Sequence, residues 1–207
     1  MVSKDPTKNF QIQVRNSINN SKTLIPQDAR WRYINMKPSA LTIKGLIKIH
    51  KPEHPIRPVV NWRNAPAHKL AGLFTREIKR LAPLPNTHNI RNTTDLINKL
   101  KDTLTLPHYG LASLDIANLY TNVPVKETRD IISSTLKSLQ LNPQIRHELL
   151  EWYDVITLQN YFSSNREILI QNEGLAMGAP TSGLCAECFL QHLEQLHIPT
   201  CQTNIRS

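Results

Sequence analysis

The stretch Ser113-Leu114-Asp115-Ile116-Ala117-Asn118-Leu119-Tyr120-Thr121-Asn122-Val123-Pro124 places one carboxylate in an otherwise apolar run. Residues 109–116 read as a buried strand, and Asp115 falls near its end. An unpaired buried carboxylate is costly unless it is protonated, paired or bound to a metal. Two readings therefore stand side by side. In one, Asp115 ligates Mg²⁺, a hard cation that prefers oxygen donors, and Tyr120 walls a pocket over a bound sugar. In the other, Asp115 caps the following turn and Tyr120 belongs to the core.

Outward from this stretch the chain alternates strand and helix signals. Towards the N-terminus, Leu46-Ile47-Lys48-Ile49-His50 and Arg57-Pro58-Val59-Val60-Asn61-Trp62 read as two strands around a proline-bearing turn. Residues 67–81, apolar at Leu70, Leu73, Phe74, Ile78 and Leu81, fit an amphipathic helix that Pro83 and Pro85 terminate. Residues 93–104 form a further helix candidate capped by Asn92 or Thr93. Towards the C-terminus, Pro124 and Pro143 each suit the start of a helix, the first to about residue 139 and the second to about 157. Residues 161–163 and 167–170 read as a hairpin. A glycine-bearing loop over 174–180 then precedes a helix to about residue 196. Residues 1–44 read as an irregular basic arm with a short helix near 27–33, and 197–207 as an irregular tail. The order is that of an α+β fold with antiparallel strands and packed helices, one domain over 45–196.

Charge is unevenly placed. The 207 residues carry a net charge of +9. Residues 1–80 hold 16 Lys/Arg against 4 Asp/Glu, and residues 81–207 hold 9 against 12. A basic front half suits a phosphate-backbone partner as well as a merely solvated surface. The sequence contains no apolar run long enough to span a bilayer and no secretory leader, and its 3 cysteines make no disulfide framework. The expected setting is intracellular, nuclear or cytoplasmic, with no membrane partner.

Two further elements carry chemistry. In Gly174-Leu175-Ala176-Met177-Gly178-Ala179-Pro180-Thr181-Ser182, two glycines allow close backbone approach, and Pro180 and Ser182 open a helix whose N-terminus can face an anion. The hairpin brings Lys48, Lys51 and Arg57, residue types that bind triphosphates. Taken in order with 113–124, these blocks resemble the reverse transcriptase of Penelope-like retroelements, a group related to telomerase reverse transcriptase. The similarity spans about residues 45–194.

The resemblance implies a partial right-hand polymerase, with fingers and an incomplete palm, acting on an RNA or DNA template-primer and deoxynucleoside triphosphates. It implies Asp115 and the Ile116 carbonyl as Mg²⁺ ligands, and Arg57 with Lys48 or Lys51 as the triphosphate grip. Tyr120 would exclude a 2′-OH, while Met177, Gly178 and Pro180 shape the nucleotide pocket. The family pattern also needs a later Asp-Asp pair. No such dipeptide occurs here, and the last aspartate is Asp154. The expectation is a truncated, catalytically incomplete domain, with a non-catalytic nucleic-acid-binding module as the alternative. Cys185 and Cys188, followed by His192, His197 and Cys201, also admit a zinc reading, against which stands the apolar helical pattern of 184–196.

Overall fold

The computed structural model describes residues 4–101, 112–113, 115–165 and 167–204. Helices α1 (Thr7–Asn20), α2 (His68–Leu81), α3 (Thr93–Leu100), α4 (Leu119–Asn122), α5 (Val125–Ser138), α6 (Pro143–Thr157) and α7 (Ser182–Asn204) accompany strands β1 (Thr42–Ile47), β2 (Ile56–Asn61), β3 (Tyr161–Ser164) and β4 (Glu167–Ile170). A 3-10 helix occupies Gln27–Tyr33. The fold is α+β, as the order of signals indicates.

The strands make one sheet in the order β2-β1-β3-β4. Both hairpins are antiparallel, with Ile47 opposite Ile56 and Tyr161 opposite Ile170. They join through a short parallel contact between Thr42 and Ser163, where the Ser163 N–H donates to the Leu41 carbonyl at 2.6 Å. The sheet is therefore mixed rather than wholly antiparallel. β1 ends at Ile47, so Lys48 begins the turn that returns to β2, and the Lys48 N–H closes it on the Pro55 carbonyl at 3.0 Å.

Local chemistry explains the helix boundaries. Asn142 accepts from the Gln144 N–H at 2.8 Å, and Pro143 occupies the first turn of α6, where a missing N–H costs nothing. Asn92 caps α3 by accepting from the Asp95 N–H at 2.9 Å. Pro124 is the cap of α5 rather than its first residue. α2 buries Leu70, Leu73, Phe74 and Ile78, the face its periodicity predicts.

The strand read over 46–50 lies instead at Thr42–Ile47, and the arm and the tail are also corrected. The arm over 1–44 is not irregular, because α1 lies against α6 and buries Thr7, Gln11, Val14, Ser17 and Ile18. That spacing is helical, but three of the five side chains are polar, so no apolar stripe marks it. Phe10 stacks on Tyr161 with ring centroids 5.1 Å apart, and the Thr7 hydroxyl meets the Tyr161 phenol at 2.8 Å. The tail is also not irregular as far as Asn204. α7 continues through Pro199 to Asn204.

The segment after α1 is held by one buried carboxylate. Glu148, 1% exposed on α6, accepts from the backbone N–H groups of Lys22, Thr23 and Leu24 at 3.0, 2.9 and 2.9 Å. Beside it the buried Trp152 indole donates to the Ser21 hydroxyl at 2.7 Å. Burial alone would raise the Glu148 pKa, but the donated backbone hydrogen bonds outweigh it and hold the carboxyl below the usual glutamate range.

Glu148→Ala leaves three donors without their acceptor and should cost about 3 kcal/mol in chemical denaturation. A carboxyl whose folded pKa is depressed contributes stability that is complete above the unfolded value, about 4.3, and is lost as pH falls through the folded value. The stability gap between the wild type and Glu148→Gln should therefore shrink as pH drops below about 4. A gap unchanged from pH 7 to pH 3 would contradict this role.

Candidate functional site

The turn between β1 and β2, the segment leading into α4 and the loop before α7 enclose an open cleft of about 600 Å³. The β-hairpin contributes Lys48, Lys51, Arg57 and Val59 to its wall. Across the cleft stand Asp115, Ile116 and Tyr120, then Met177 and Gly178, with Ser182 and Gly183 from the first turn of α7. Eight residues singled out in the sequence thus meet here, although they come from three separated blocks. Pro180 does not line the cleft. Its carbonyl accepts from the Thr75 hydroxyl at 3.3 Å and ties the loop to α2. Asn118 and Val59, which lie inside these blocks without having been given a role, also line it, as does Gly183, just beyond the glycine-bearing block.

The loop reaches its place through two backbone hydrogen bonds. The Val60 N–H of β2 donates to the Met177 carbonyl at 2.7 Å, and the Leu175 N–H donates to the Tyr120 carbonyl at 2.6 Å. Both contacts need glycine beside them. Gly178 has φ +116°, and a Cβ there would fall on the Val60 carbonyl oxygen. Gly174 has φ +73°, and a Cβ would fall on the Thr121 backbone. The close approach that these glycines allow is to the protein's own backbone.

The approach to Tyr120 is also local. Asn118 adopts φ +52°, a left-handed conformation that asparagine tolerates better than most residues. Its carbonyl accepts from the Thr121 N–H at 3.1 Å and hydroxyl at 2.9 Å, and Asn122 donates back to the Ala117 carbonyl at 3.2 Å. This reversal starts the single turn of α4 and leaves Tyr120 half-buried at the cleft.

The strand expected over 109–116 is not found where it can be seen. Residues 109–111 and 114 lie outside the described residues. Residues 112, 113, 115 and 116 are exposed and belong to no strand, with Ile116 52% exposed. No described strand lies beside them to form a ladder. Asp115 therefore avoids a burial cost, and the case for it rests on its position. It is the one acidic residue among the cleft's lining residues, facing Lys48, Lys51 and Arg57. Its carboxylate and the Ile116 carbonyl would be the oxygen donors to a Mg²⁺ ion there. They do not suffice for a two-ion site, which needs several carboxylates.

Cys185 and Cys188 pack into the core at 0% and 7% exposure. Burial raises both thiols, Cys188 to about 11, which disfavours the thiolate that zinc requires. Among the described residues no group of three or more His, Cys, Asp or Glu could hold a metal ion. Nor is any helix, among those residues, long and apolar enough to cross a membrane.

Compared with known proteins, the chain matches no family model, no curated protein and no solved structure.

Gly178→Ala should destabilise the fold by roughly 2–4 kcal/mol, combining left-handed strain with loss of the Val60–Met177 hydrogen bond. Gly72→Ala is the control. It sits exposed within α2 with open space at its Cβ, and should stabilise by up to about 1 kcal/mol. Urea unfolding measures both, and equal effects would contradict the bridging role of the loop.

Proposed function

We propose that this chain is a nucleotide-binding polymerase domain of the reverse transcriptase type, and that its cleft receives a deoxynucleoside triphosphate with Mg²⁺. The observation that carries the reading is the convergence of the three basic side chains, Asp115 and Tyr120 on one cleft from distant blocks of sequence. A triphosphate carries about four negative charges near neutral pH, and three cations facing one carboxylate favour it. Arg57 offers a rigid fork for phosphate oxygens, while Lys48 and Lys51 offer mobile point charges. Ser182 and Gly183 bring the positive end of α7 to the same wall. Tyr120 stands where a flat ring can press against a sugar. In a complete site, bound Mg²⁺ supplies activation of the attacking hydroxyl and stabilisation of the leaving pyrophosphate. Here Asp115 and the Ile116 carbonyl would hold one such ion.

Two-ion catalysis needs several carboxylates, and Asp115 is the one among the cleft's lining residues. No aspartate follows Asp154, and Glu187 on α7 is engaged by Asn89 at 2.6 Å and Gln191 at 2.7 Å. With one carboxylate among its lining residues, the cleft in this reading is a binding site. A second reading, a nucleic-acid-binding module without nucleotide specificity, draws on the single carboxylate of the cleft and on the basic front half.

Equilibrium binding of a deoxynucleoside triphosphate with Mg²⁺ distinguishes the two. The polymerase-type reading predicts saturable binding that weakens at least tenfold in Lys51→Ala/Arg57→Ala and loses its Mg²⁺ dependence in Asp115→Asn. Tyr120→Ala should admit the ribonucleotide as readily as the deoxyribonucleotide. Binding of oligonucleotides alone, steeply weakened by salt, would favour the second reading. Primer extension by the chain, abolished by Asp115→Ala, would overturn the reading of the cleft as a binding site alone.

A further inference from the structure

Trp31 is 65% exposed, whereas Trp62 and Trp152 are 3% and 0% exposed. An exposed tryptophan on a loose loop would carry little meaning, but this one sits on a fixed segment. The Ile34 N–H donates to the Trp31 carbonyl at 3.3 Å, and Lys69 Nζ donates to the Ile34 carbonyl at 3.1 Å. Next to it, the Asn35 carbonyl accepts from Gln11 Nε2 at 2.6 Å, while Asn35 Nδ2 donates to the Asn64 and Ala65 carbonyls at 3.1 and 3.2 Å. The Arg32 guanidinium lies over the indole, 5.7 Å from its centroid, and Met36 is 69% exposed nearby in the chain. The result is a flat ring on an anchored segment, backed by a cation and presented to solvent.

The same anchors connect this ring to the cleft. Asn35 bonds to the carbonyl of Asn64, the neighbour of Arg63. Arg63 lines a shallow groove of about 330 Å³ with Lys44, His68 and Gly178, and Gly178 also lines the main cleft. Lys44 and Arg63 at the groove, Lys69 bonded to the Ile34 carbonyl, and Arg32 over the indole are exposed cations along this series of contacts.

We infer that Trp31, backed by Arg32, is a stacking platform for a base of single-stranded nucleic acid that runs along this basic path outside the cleft. Charge selects this occupant over a protein surface, because the first 80 residues hold 16 Lys/Arg against 4 Asp/Glu. Of those four acids Glu77 pairs with Arg76 and Arg80, and Asp28, on the same 3-10 helix as Trp31, is outnumbered there by Arg30 and Arg32. Every base has a face to stack, so the platform is tolerant of sequence. The inference rests on the proposed nucleic-acid partner but not on the chemistry of the cleft.

Oligo(dT) and oligo(U) titrated into the full chain provide the test. Trp62 lines the groove on the same path, so the quenching lost in Trp31→Phe is the part that reports the Trp31 contact. Both oligomers should quench the tryptophan fluorescence saturably, and Trp31→Ala should bind a labelled oligomer about tenfold more weakly by anisotropy while Trp31→Phe binds nearly as wild type. Melting curves of both variants should match the wild type, since the ring is exposed. The inference is overturned if Trp31→Ala keeps wild-type oligomer affinity, including the case where it instead changes self-association in sedimentation. Nucleotide binding at the cleft, followed separately with deoxynucleoside triphosphate and Mg²⁺, tells the two proposals apart. Retained nucleotide binding without Trp31 quenching overturns only the platform, and quenching without nucleotide binding overturns only the cleft reading.

Discussion

The cleft exists because one loop is stitched to two distant segments by backbone hydrogen bonds. Met177 accepts from Val60 on β2, and Leu175 donates to Tyr120 on α4. Neither bond could form if Gly178 and Gly174 carried side chains, since each Cβ would occupy the space of a carbonyl or its neighbours. These contacts set the position of Tyr120 and of the β-hairpin cations relative to one another. The constraint is steric before it is electrostatic: the charges converge because the backbone is allowed to.

The remainder of the chain keeps that arrangement rigid. α7 leaves the loop with Cys185 and Cys188 buried, so the loop's far end is fixed in the core. α6 carries Glu148 and Trp152, which hold the segment after α1, and α1 in turn stacks Phe10 on Tyr161 of β3. Arg129 and Asp154 add a bidentate pair between α5 and α6 at 2.6 and 2.8 Å. That pair is partly solvated, so it contributes orientation more than stability. The buried groups, not the surface charges, keep the cleft walls from drifting.

Most elements were legible because their signals are local. Asn142-Pro143 marks the start of α6, the apolar spacing of α2 marks its buried face, and β2, β3 and β4 fall close to where their residues read as strands, whereas β1 lies at Thr42–Ile47 and shares only Leu46 and Ile47 with the strand read over 46–50. α1 was hidden because polar Thr7, Gln11 and Ser17 occupy its inward positions, and burial of polar groups follows from partners that no periodicity displays. The parallel Thr42–Ser163 contact and the single turn at Leu119–Asn122 depend on tertiary placement. For the cleft, residue types and order pointed to the lining residues, but not to how they would meet. The apolar run around Asp115 suggested burial, whereas its described residues are exposed. The glycines suggested approach to a ligand, whereas they approach Val60 and Thr121.

The proposed reading has the three cations and one carboxylate of the cleft hold a nucleotide. The most direct measurement of that claim is photo-crosslinking with a base-azido deoxynucleoside triphosphate in the presence of Mg²⁺, followed by peptide mapping. The account predicts labelling confined to the peptides that contain Tyr120 and Met177, suppressed by excess unmodified deoxynucleotide. Labelling elsewhere on the chain, or labelling that unmodified deoxynucleotide does not suppress, would contradict it.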